Sequence, residues 1–288
     1  MAHILVTGAG GAAGISAIKA LVGYGHTLYA ADSNPYAAGL YLVADDCRAT
    51  VSFACEPTFL GDLEALVDRW SIDVIVPTVD EELPLVAAHR SYLAKLGAQV
   101  LVNPLSTITK CLDKWQLANL TRHCPTSTDT WLCDEQLVAA DLPYPVIVKP
   151  RTGRGSRGVR LVHTHADLAS VPMDGSFIAQ AYLPGQEYTV DVLAADDGRI
   201  AAVVPCLRIA VSDGVAVTSE TVQCDDLISA ATEVAQLVGA RSVLNVQFRR
   251  DAKGRLRLLE VNPRCSGTMT LTMAAGVNMP MLAAEELL

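Results

Sequence analysis

The sequence predicts an α/β unit built on a parallel sheet, followed by an α+β unit whose sheets are largely antiparallel. Up to about residue 103, strands alternate with helices, a rhythm typical of parallel strands joined by helical crossovers. Beyond that point several strands follow one another through short turns, which favours antiparallel pairing. The 288 residues are 51% hydrophobic, enough for two separate cores. We place the boundary near Asn103-Pro104, which divides the chain into domains 1–104 and 105–288.

The N-terminal elements follow from hydrophobic periodicity. A buried strand at residues 3–7 leads through a glycine cluster into a helix that reaches about Leu21. A second strand ends at Asp32, and a short third covers 50–53. A helix with one apolar stripe follows at 59–70, and a strand and turn at 73–80. The segment 81–97 is mostly helix and tolerates Pro84 in its first turn, and a last strand covers 98–103.

The second unit opens with a helix in "DKWQLANLTRH", residues 113–123. A strand ending at Lys149 and a glycine-rich loop follow, within a small lobe that we place at about 125–180. Further strands, a helix over about 225–238 and a final β-hairpin complete the unit.

Composition narrows the classes of function. A net charge of −9 and a pI of about 5.1, without a basic stripe, argue against a nucleic-acid partner. No apolar run is long enough for a bilayer, and the first residues lack the pattern of a signal peptide. Eight scattered cysteines without a C-x-x-C pair are typical of reduced thiols. We therefore expect a cytoplasmic protein without membrane partners.

The glycine cluster Gly8, Gly10, Gly11 and Gly14 stands between a strand and a helix, where backbone N–H groups bind phosphate in dinucleotide-binding folds. Asp32 ends the next strand, where an acid that binds ribose would stand. These residues predict an NAD(P) site as one hypothesis. The alternative is that the glycines only permit close packing of the helix on the strand.

A second cluster, "VIVKPRTGRGSRGV", places Lys149 at a strand end before a loop of alternating glycines and arginines. Glycines let the backbone close over phosphate oxygens, and the cations offset their charge. The loop lacks the Walker A pattern. A solvated basic hairpin explains this cluster equally well.

The last hairpin contains "RLRLLEVNPRCSG", residues 255–267. Strict alternation puts Glu260 and Asn262 on one face, together with Leu256 and Leu258. A connecting loop of two or four residues would add Gln247 to that face, whereas three residues without a bulge would separate it. The three oxygen-bearing side chains would suit Mg²⁺. A polar outer face would explain Gln247, but not a glutamate among apolar neighbours.

A fourth segment, "FIAQAYLPGQEYTVDV", is a strand that breaks at Pro184-Gly185 and resumes at Glu187. Free backbone groups at such a hinge can pair with a purine edge, and a nearby carboxylate can bind ribose. A simple turn is the alternative.

In this order the clusters resemble the ATP-grasp superfamily, and most of all ligases similar to the large subunit of carbamoyl-phosphate synthase. The resemblance covers nearly the whole chain and implies a Rossmann-like pre-ATP-grasp domain followed by an ATP-grasp domain. It implies an ATP site with Lys114 and Lys149 at the phosphates and Glu187 at the ribose. The remaining ATP residues that it implies are Arg154, Gly155 and Ser156 in the loop, and Gln180, Ala181, Tyr182 and Leu183 at the hinge.

The resemblance further implies Mg²⁺, with Mn²⁺ as an alternative ion, on Gln247, Glu260 and Asn262. Lys149 and Arg264 would be catalytic, and Arg208, Asp80 and Glu81 are candidates for contacting substrate. Asp80 could instead cap the following helix. The implied activity joins a small-molecule carboxylate, activated as an acyl phosphate, to an amine or ammonia. An NAD(P)-dependent oxidoreductase or epimerase and a non-catalytic ATP-binding protein are the alternatives, and a homodimer is left open.

Overall fold

The first unit is built around a five-stranded parallel sheet in the order β3-β2-β1-β4-β5. The computed structural model describes residues 1–137 and 141–288. The parallel pairing agrees with the predicted alternation of strands and helices, whereas the assignment as a Rossmann-like pre-ATP-grasp domain stays a prediction. The strands are β1 His3–Thr7, β2 Thr27–Asp32, β3 Arg48–Thr50, β4 Val74–Val76 and β5 Gln99–Val100.

Four α-helices pack against this sheet: α1 Ala12–Leu21, α2 Phe59–Trp70, α3 Leu83–Ala88 and α4 Arg90–Lys95. The apolar stripe of α2 is buried in the core beneath the sheet, through Leu63, Leu66 and Val67. The segment 81–97 is mostly helical, as predicted, but the chain breaks at His89 into two helices, α3 and α4. Pro84 stands in the first turn of α3, where its missing N–H costs nothing.

A four-stranded antiparallel sheet, in the order β6-β9-β7-β8, carries the glycine-rich loop between two of its strands. Its strands are β6 Thr130–Cys133, β7 Val146–Pro150, β8 Arg160–Val162 and β9 Phe177–Ala181. The predicted limits of the domains and of the small lobe stay predictions.

A five-stranded antiparallel sheet, in the order β12-β11-β10-β13-β14, is the largest of the second unit. It consists of β10 Glu187–Ala194, β11 Ile200–Ser212, β12 Val215–Thr221, β13 Val243–Arg250 and β14 Leu256–Asn262. Helix α7, Asp225–Val238, has the predicted bounds and covers one face through Leu227, Ala231 and Val234.

The remaining helices are α5 Leu105–Leu112, α6 Lys114–Thr121, α8 Met269–Ala274 and α9 Met279–Leu287. Asp113 caps α6 by accepting hydrogen bonds from the backbone N–H groups of Trp115 and Gln116. Buried methionines of α8 and α9 belong to the same core as α1, so the C-terminal helices pack on the first unit. In the described part of the chain, every helix is too short or too polar to cross a bilayer.

Candidate functional site

Two neighbouring cavities lie where the two units and the two antiparallel sheets meet. The small cavity, about 220 Å³, lies between the glycine-rich loop and β10, and the large cavity, about 640 Å³, lies between β13–β14 and the carboxyl edge of the parallel sheet. The two linings share the residues Arg154, Gly155, Arg208, Gly214, Gln247 and Glu260.

The small cavity gathers the whole set of residues expected at ATP. Lys114 lies at the start of α6, Lys149 in β7, the loop residues between β7 and β8, and the hinge residues at the end of β9. All of them line the cavity: Lys114, Lys149, Arg154, Gly155, Ser156, Gln180, Ala181, Tyr182, Leu183 and Glu187. Segments up to 73 residues apart (114 to 187) therefore converge on one space, as the assignment to a common ligand requires.

Lys149 is buried at the back of the small cavity. Its Nζ donates to Gln180 Oε1 at 2.9 Å and to the carbonyl of Leu259 at 3.4 Å. Burial lowers the pKa of Lys149 to about 8, although Glu260 and Glu187 favour its charged form. The ammonium group of Lys149 lines the cavity but is poorly solvated. An anionic ligand in the cavity would stabilise its charged form.

The glycine-rich loop is held in place by contacts at three points. Lys114 Nζ donates to the carbonyl of Gly153 at 2.8 Å, and Arg154 Nε donates to Glu81 Oε1 at 2.7 Å. Gly155 and Ser156 lie against Gly214, at the turn between β11 and β12. The loop therefore covers the small cavity and reaches the first unit through Glu81.

Glu187 lies at the other end of the small cavity, between two arginines. Its Oε1 is 3.1 Å from Arg208 Nε, and its Oε2 is 3.7 Å from Arg249 Nη1. The buried Arg208 donates from Nη2 to the carbonyl of Gly214 at 2.7 Å. Arg208, a candidate for contacting substrate, thus connects the carboxylate expected at the ribose to the turn beneath the loop.

The three expected metal ligands do come together, but not by simple alternation. Gln247 pairs with Glu260 across β13 and β14, and Asn262 Nδ2 lies 3.4 Å from Glu260 Oε1. Leu256 and Leu258 point into the opposite core, so the prediction that they share a face with Glu260 is wrong. The leucines and Glu260 lie on opposite faces because a β-bulge at Leu259 shifts the register by one residue.

This donor set fits a hard divalent cation. Glu260 supplies a carboxylate, Gln247 and Asn262 supply amide oxygens, and all three are only partly buried at the cavity walls. Mg²⁺ and Mn²⁺ take such oxygen ligands, and Mg²⁺ is usually completed by phosphate and water. The residues present therefore match the expected metal site.

Arg264 lies in the large cavity, fixed by Asp80. Its Nε donates to Asp80 Oδ1 at 2.5 Å, and the two side chains are 16% and 11% exposed. Burial alone would lower the pKa of Arg264, but the neighbouring Asp80 carboxylate outweighs it. The pKa is raised as a result, and the guanidinium stays protonated. Asp80 does not cap α3. Glu82 occupies the N-cap position without a capping hydrogen bond from its side chain, and its Oε1 instead accepts from the N–H groups of Thr78 and Val79, before the helix.

Besides Glu82, two acidic groups that lie behind the cavity linings were missed by sequence reasoning. Asp113 binds Arg151 through both carboxylate oxygens, at 2.6–2.9 Å, and so connects α6 to the loop. Asp191 is fully buried beneath the large cavity and accepts from Asn245 Nδ2 at 2.8 Å and Thr272 Oγ1 at 2.6 Å. A lone carboxylate within the apolar strand "TVDVLAA" is the signal that could have revealed Asp191.

The glycine turn of the first unit lines the large cavity, and Asp32 and the N–H of Gly10 are partners within the chain. Asp32 Oδ2 accepts from the N–H of Gly10 at 2.7 Å, and Oδ1 accepts from Asn34 at 2.9 Å. A Cβ at Gly8 would meet Val79, and one at Gly14 would meet the carbonyl of Gly8, each at 2.2 Å. Close packing alone accounts for these two glycines, which weakens the NAD(P) hypothesis.

Two family descriptions match the second unit. Residues 111–191 match "Carbamoyl-phosphate synthase L chain, ATP binding domain", and residues 174–288 match "ATP-grasp in the biosynthetic pathway with Ter operon". The chain is 24% identical to the carbamoyl phosphate synthase large chain of Thermus thermophilus over 94% of its own length. It spans only 29% of the length of that relative.

Solved structures share the fold at low identity. The biotin carboxylase domain dimer of Hydrogenobacter thermophilus 2-oxoglutarate carboxylase, in complex with MgADP, ADP and bicarbonate, has a TM-score of 0.74. It is 16% identical, over 99% of this chain and 69% of that one. The L-amino acid ligase of Bacillus licheniformis has a TM-score of 0.75 and 14% identity, over 100% and 74% of the two chains.

Proposed function

Because this chain belongs to the ATP-grasp superfamily, we propose that it is an ATP- and Mg²⁺-dependent ligase that joins a carboxylate, activated as an acyl phosphate, to an amine or ammonia. One observation carries the proposal: Gln247 and Glu260 stand on the wall common to both cavities. A nucleotide in the small cavity would direct its last phosphate toward a substrate in the large one. Phosphoryl transfer needs this alignment more than it needs covalent chemistry from the protein.

The nucleotide is assigned to the small cavity on charge and shape. Lys149 and Lys114 would hold phosphate oxygens as point charges, and Glu187 would accept ribose hydroxyl groups. The loop at 153–158 would cover the phosphates and exclude water, as its present contacts with Glu81 and Gly214 allow.

Gln247, Glu260 and Asn262 would hold Mg²⁺, and Mn²⁺ in its place. Bound there, the cation would supply charge neutralisation for the phosphate oxygens. The carboxylate of the substrate attacks the γ-phosphorus, the bond to the β-phosphate oxygen breaks, and ADP leaves. The amine then attacks the acyl carbon, inorganic phosphate leaves, and the amine loses a proton as the amide forms.

Arg264 would stabilise the charge that develops on the transferring group, since its guanidinium stays protonated and points along the large cavity. Asp80 would then be a positioning residue for Arg264 rather than a ligand of the substrate. Likewise, Glu81 would hold the loop through Arg154. A direct substrate contact by Arg208 remains part of the proposal, since it lines both cavities.

The test is a screen for ADP and phosphate release with ATP·Mg²⁺ and pairs of carboxylates and amines, ammonia included. Calorimetric titration with ATP·Mg²⁺ and with NAD(P)H accompanies it. We expect ATP·Mg²⁺ to bind and ADP to appear with at least one pair. Binding of NAD(P)H without ATP would instead support the oxidoreductase, and ATP binding without ADP release from any pair would support a non-catalytic protein. Gel filtration of the same protein tests the homodimer, an assembly that the Hydrogenobacter domain adopts.

A further inference from the structure

We propose that the acceptor in the large cavity carries an apolar, preferably aromatic, group at the end remote from the reaction, and that Tyr36 and Phe53 bind this group. The inference rests on the proposed function, because it names the class of substrate that the ligase takes. It distinguishes this chain from an enzyme restricted to ammonia and bicarbonate, both of which are small and fully polar.

The large cavity has two chemically different ends. Its reactive end is polar and is formed by Gln247, Glu260 and Arg264. Its remote end is formed by the segments that follow β2 and β3, with an apolar lining that includes Tyr36, Ala37, Val51, Phe53, Ala54 and Phe59. A molecule that fills both ends must itself be polar at one end and apolar at the other.

Tyr36 and Phe53 are exposed to an unusual degree for aromatic residues. Tyr36 is 82% exposed and Phe53 is 61% exposed, although aromatic residues are only 5% of the chain. Neither ring belongs to any of the buried clusters of the described residues. Aromatic surface left in water at the rim of a cavity gains the most by covering a ligand.

Three of the polar side chains at the remote end, those of Asp32, Asn34 and Ser52, have partners within the chain. Asp32 accepts from the N–H groups of Gly10 and Asn34, and Asn34 Oδ1 accepts from the N–H of Tyr36. The hydroxyl of Ser52 is hydrogen-bonded to that of Thr58 at 2.7 Å. With these groups engaged, the rings of Tyr36 and Phe53 are the large exposed surfaces that this end offers a ligand.

The size of the cavity agrees with a substrate larger than ammonia or bicarbonate. Its volume of about 640 Å³ falls within the range of sites for drug-sized molecules, about 300–1,000 Å³. An amino acid with a large side chain, or a molecule of similar length, would span the two ends.

The experiment compares glycine, L-leucine and L-phenylalanine by titration calorimetry in the absence of nucleotide. Each amino acid carries both reacting groups, so the comparison does not depend on which of them faces Glu260. We expect phenylalanine to bind about 10-fold or more tightly than glycine, since apolar burial discriminates on this scale. In the double variant Tyr36→Ala, Phe53→Ala, the two amino acids should bind within about threefold.

Two further variants make the result specific. Tyr36→Phe with Phe53→Leu retains apolar surface and should keep most of the preference for phenylalanine. Tyr41→Ala removes an exposed ring that is stacked under Arg48 and does not line the large cavity, so the preference should be unchanged. Thermal melting of each variant confirms that it is folded.

Equal binding of glycine and phenylalanine by the wild type, no binding of either, or a preference that survives in the double alanine variant would each overturn the inference. ATP·Mg²⁺ titration of the same proteins separates the two proposals. Loss of nucleotide binding with intact preference for phenylalanine would count against the ligase and not against the apolar subsite.

Discussion

Gln247 lies directly opposite Glu260 on the last two strands, although an odd number of residues, 251–255, joins those strands. Near the loop, Phe248 pairs with Leu258, a register that would leave Gln247 facing residue 259. Leu259 has no partner, because β14 carries one extra residue at this point. The bulge turns Glu260 and Asn262 toward the cavities while Leu258 and Val261 remain in the core.

Replacing Glu260 by glutamine should abolish most turnover without unfolding the protein. The change removes the single carboxylate of the proposed metal site and keeps its shape. We expect ADP release to fall by about 10²–10³-fold, as when one electrostatic contact to a transition state is lost. The half-saturating Mg²⁺ concentration should rise in the residual activity, and the melting temperature should change little.

The control for this variant is Glu220→Gln, which changes an exposed glutamate on the edge strand β12 and should behave like the wild type. ADP release by Glu260→Gln at the normal rate and the normal Mg²⁺ concentration would show that the metal assignment is wrong.

Helices and strands with a local hydrophobic periodicity could be predicted from the sequence. The parallel pairing of the first sheet and the bounds of α7 follow from residues close to one another in the chain, because periodicity is set by local geometry. The bulge at Leu259 could not be read in this way, since an unpaired residue depends on how two strands align along their whole length. Alternation alone therefore placed Leu256 and Leu258 on the face of Glu260, although they lie in the opposite core.

Ion pairs between residues that are distant in sequence could not be predicted either. Asp80 and Arg264 are 184 residues apart, and Glu81 and Arg154 are 73 apart. Each pair connects the first unit to the second, so its formation depends on how the units pack. Motif order did bring the two lysines, the loop and the hinge to one cavity. Lys149, the loop and the hinge belong to neighbouring strands of one sheet, and the backbone N–H of Lys114, at the start of α6, donates to the carbonyl of Arg151 beside them.

ATP binding should weaken as the pH rises through the pKa of Lys149. Burial lowers this pKa to about 8, so the ammonium group that faces the phosphates is lost above that pH. If only the charged form binds, Kd for ATP·Mg²⁺ should rise by about 10-fold between pH 7 and pH 9. Titration calorimetry across this range measures the change. A Kd that stays constant would place the phosphates away from Lys149.

Lys149→Met should lose this pH dependence and bind ATP weakly, yet be more stable than the wild type at pH 7. The unfolded lysine has a pKa near 10.5, so its burial opposes folding fully below about pH 8 and no longer above pH 10.5. Removing the charge should therefore stabilise the fold by about 1–3 kcal/mol at pH 7, after the loss of the hydrogen bond to Gln180. Urea unfolding at pH 7 and pH 10 should show the gain shrinking as the pH rises.

Asp80→Asn should slow turnover while leaving nucleotide binding intact. Asparagine keeps the shape of Asp80 but removes the charge that holds the buried Arg264 guanidinium. We expect kcat to fall about 10-fold, with KM for ATP changed less than threefold, because only the large cavity is affected. Asp197→Asn breaks an exposed pair with Arg199 and is the matched control, with an effect on stability below about 1 kcal/mol. Equal loss of ATP binding and turnover in Asp80→Asn would assign Arg264 to the nucleotide instead.

Gly8→Ala tests whether the glycine turn serves packing or a dinucleotide. Gly8 has a φ of +63°, and a Cβ there would lie 2.2 Å from Val79 Cγ2 and 2.9 Å from Thr78 Oγ1. We expect the variant to be destabilised by about 2–4 kcal/mol in urea unfolding, since both backbone strain and steric overlap contribute.

Gly25→Ala is the control, because Gly25 has a φ of +81° but open space around its Cβ position, so only the strain of about 1 kcal/mol should appear. The further change Val79→Ala should recover part of the loss in Gly8→Ala by relieving the overlap. A Gly8→Ala protein as stable as the wild type that has lost a measurable affinity for NAD(P)H would instead identify the turn as a dinucleotide site.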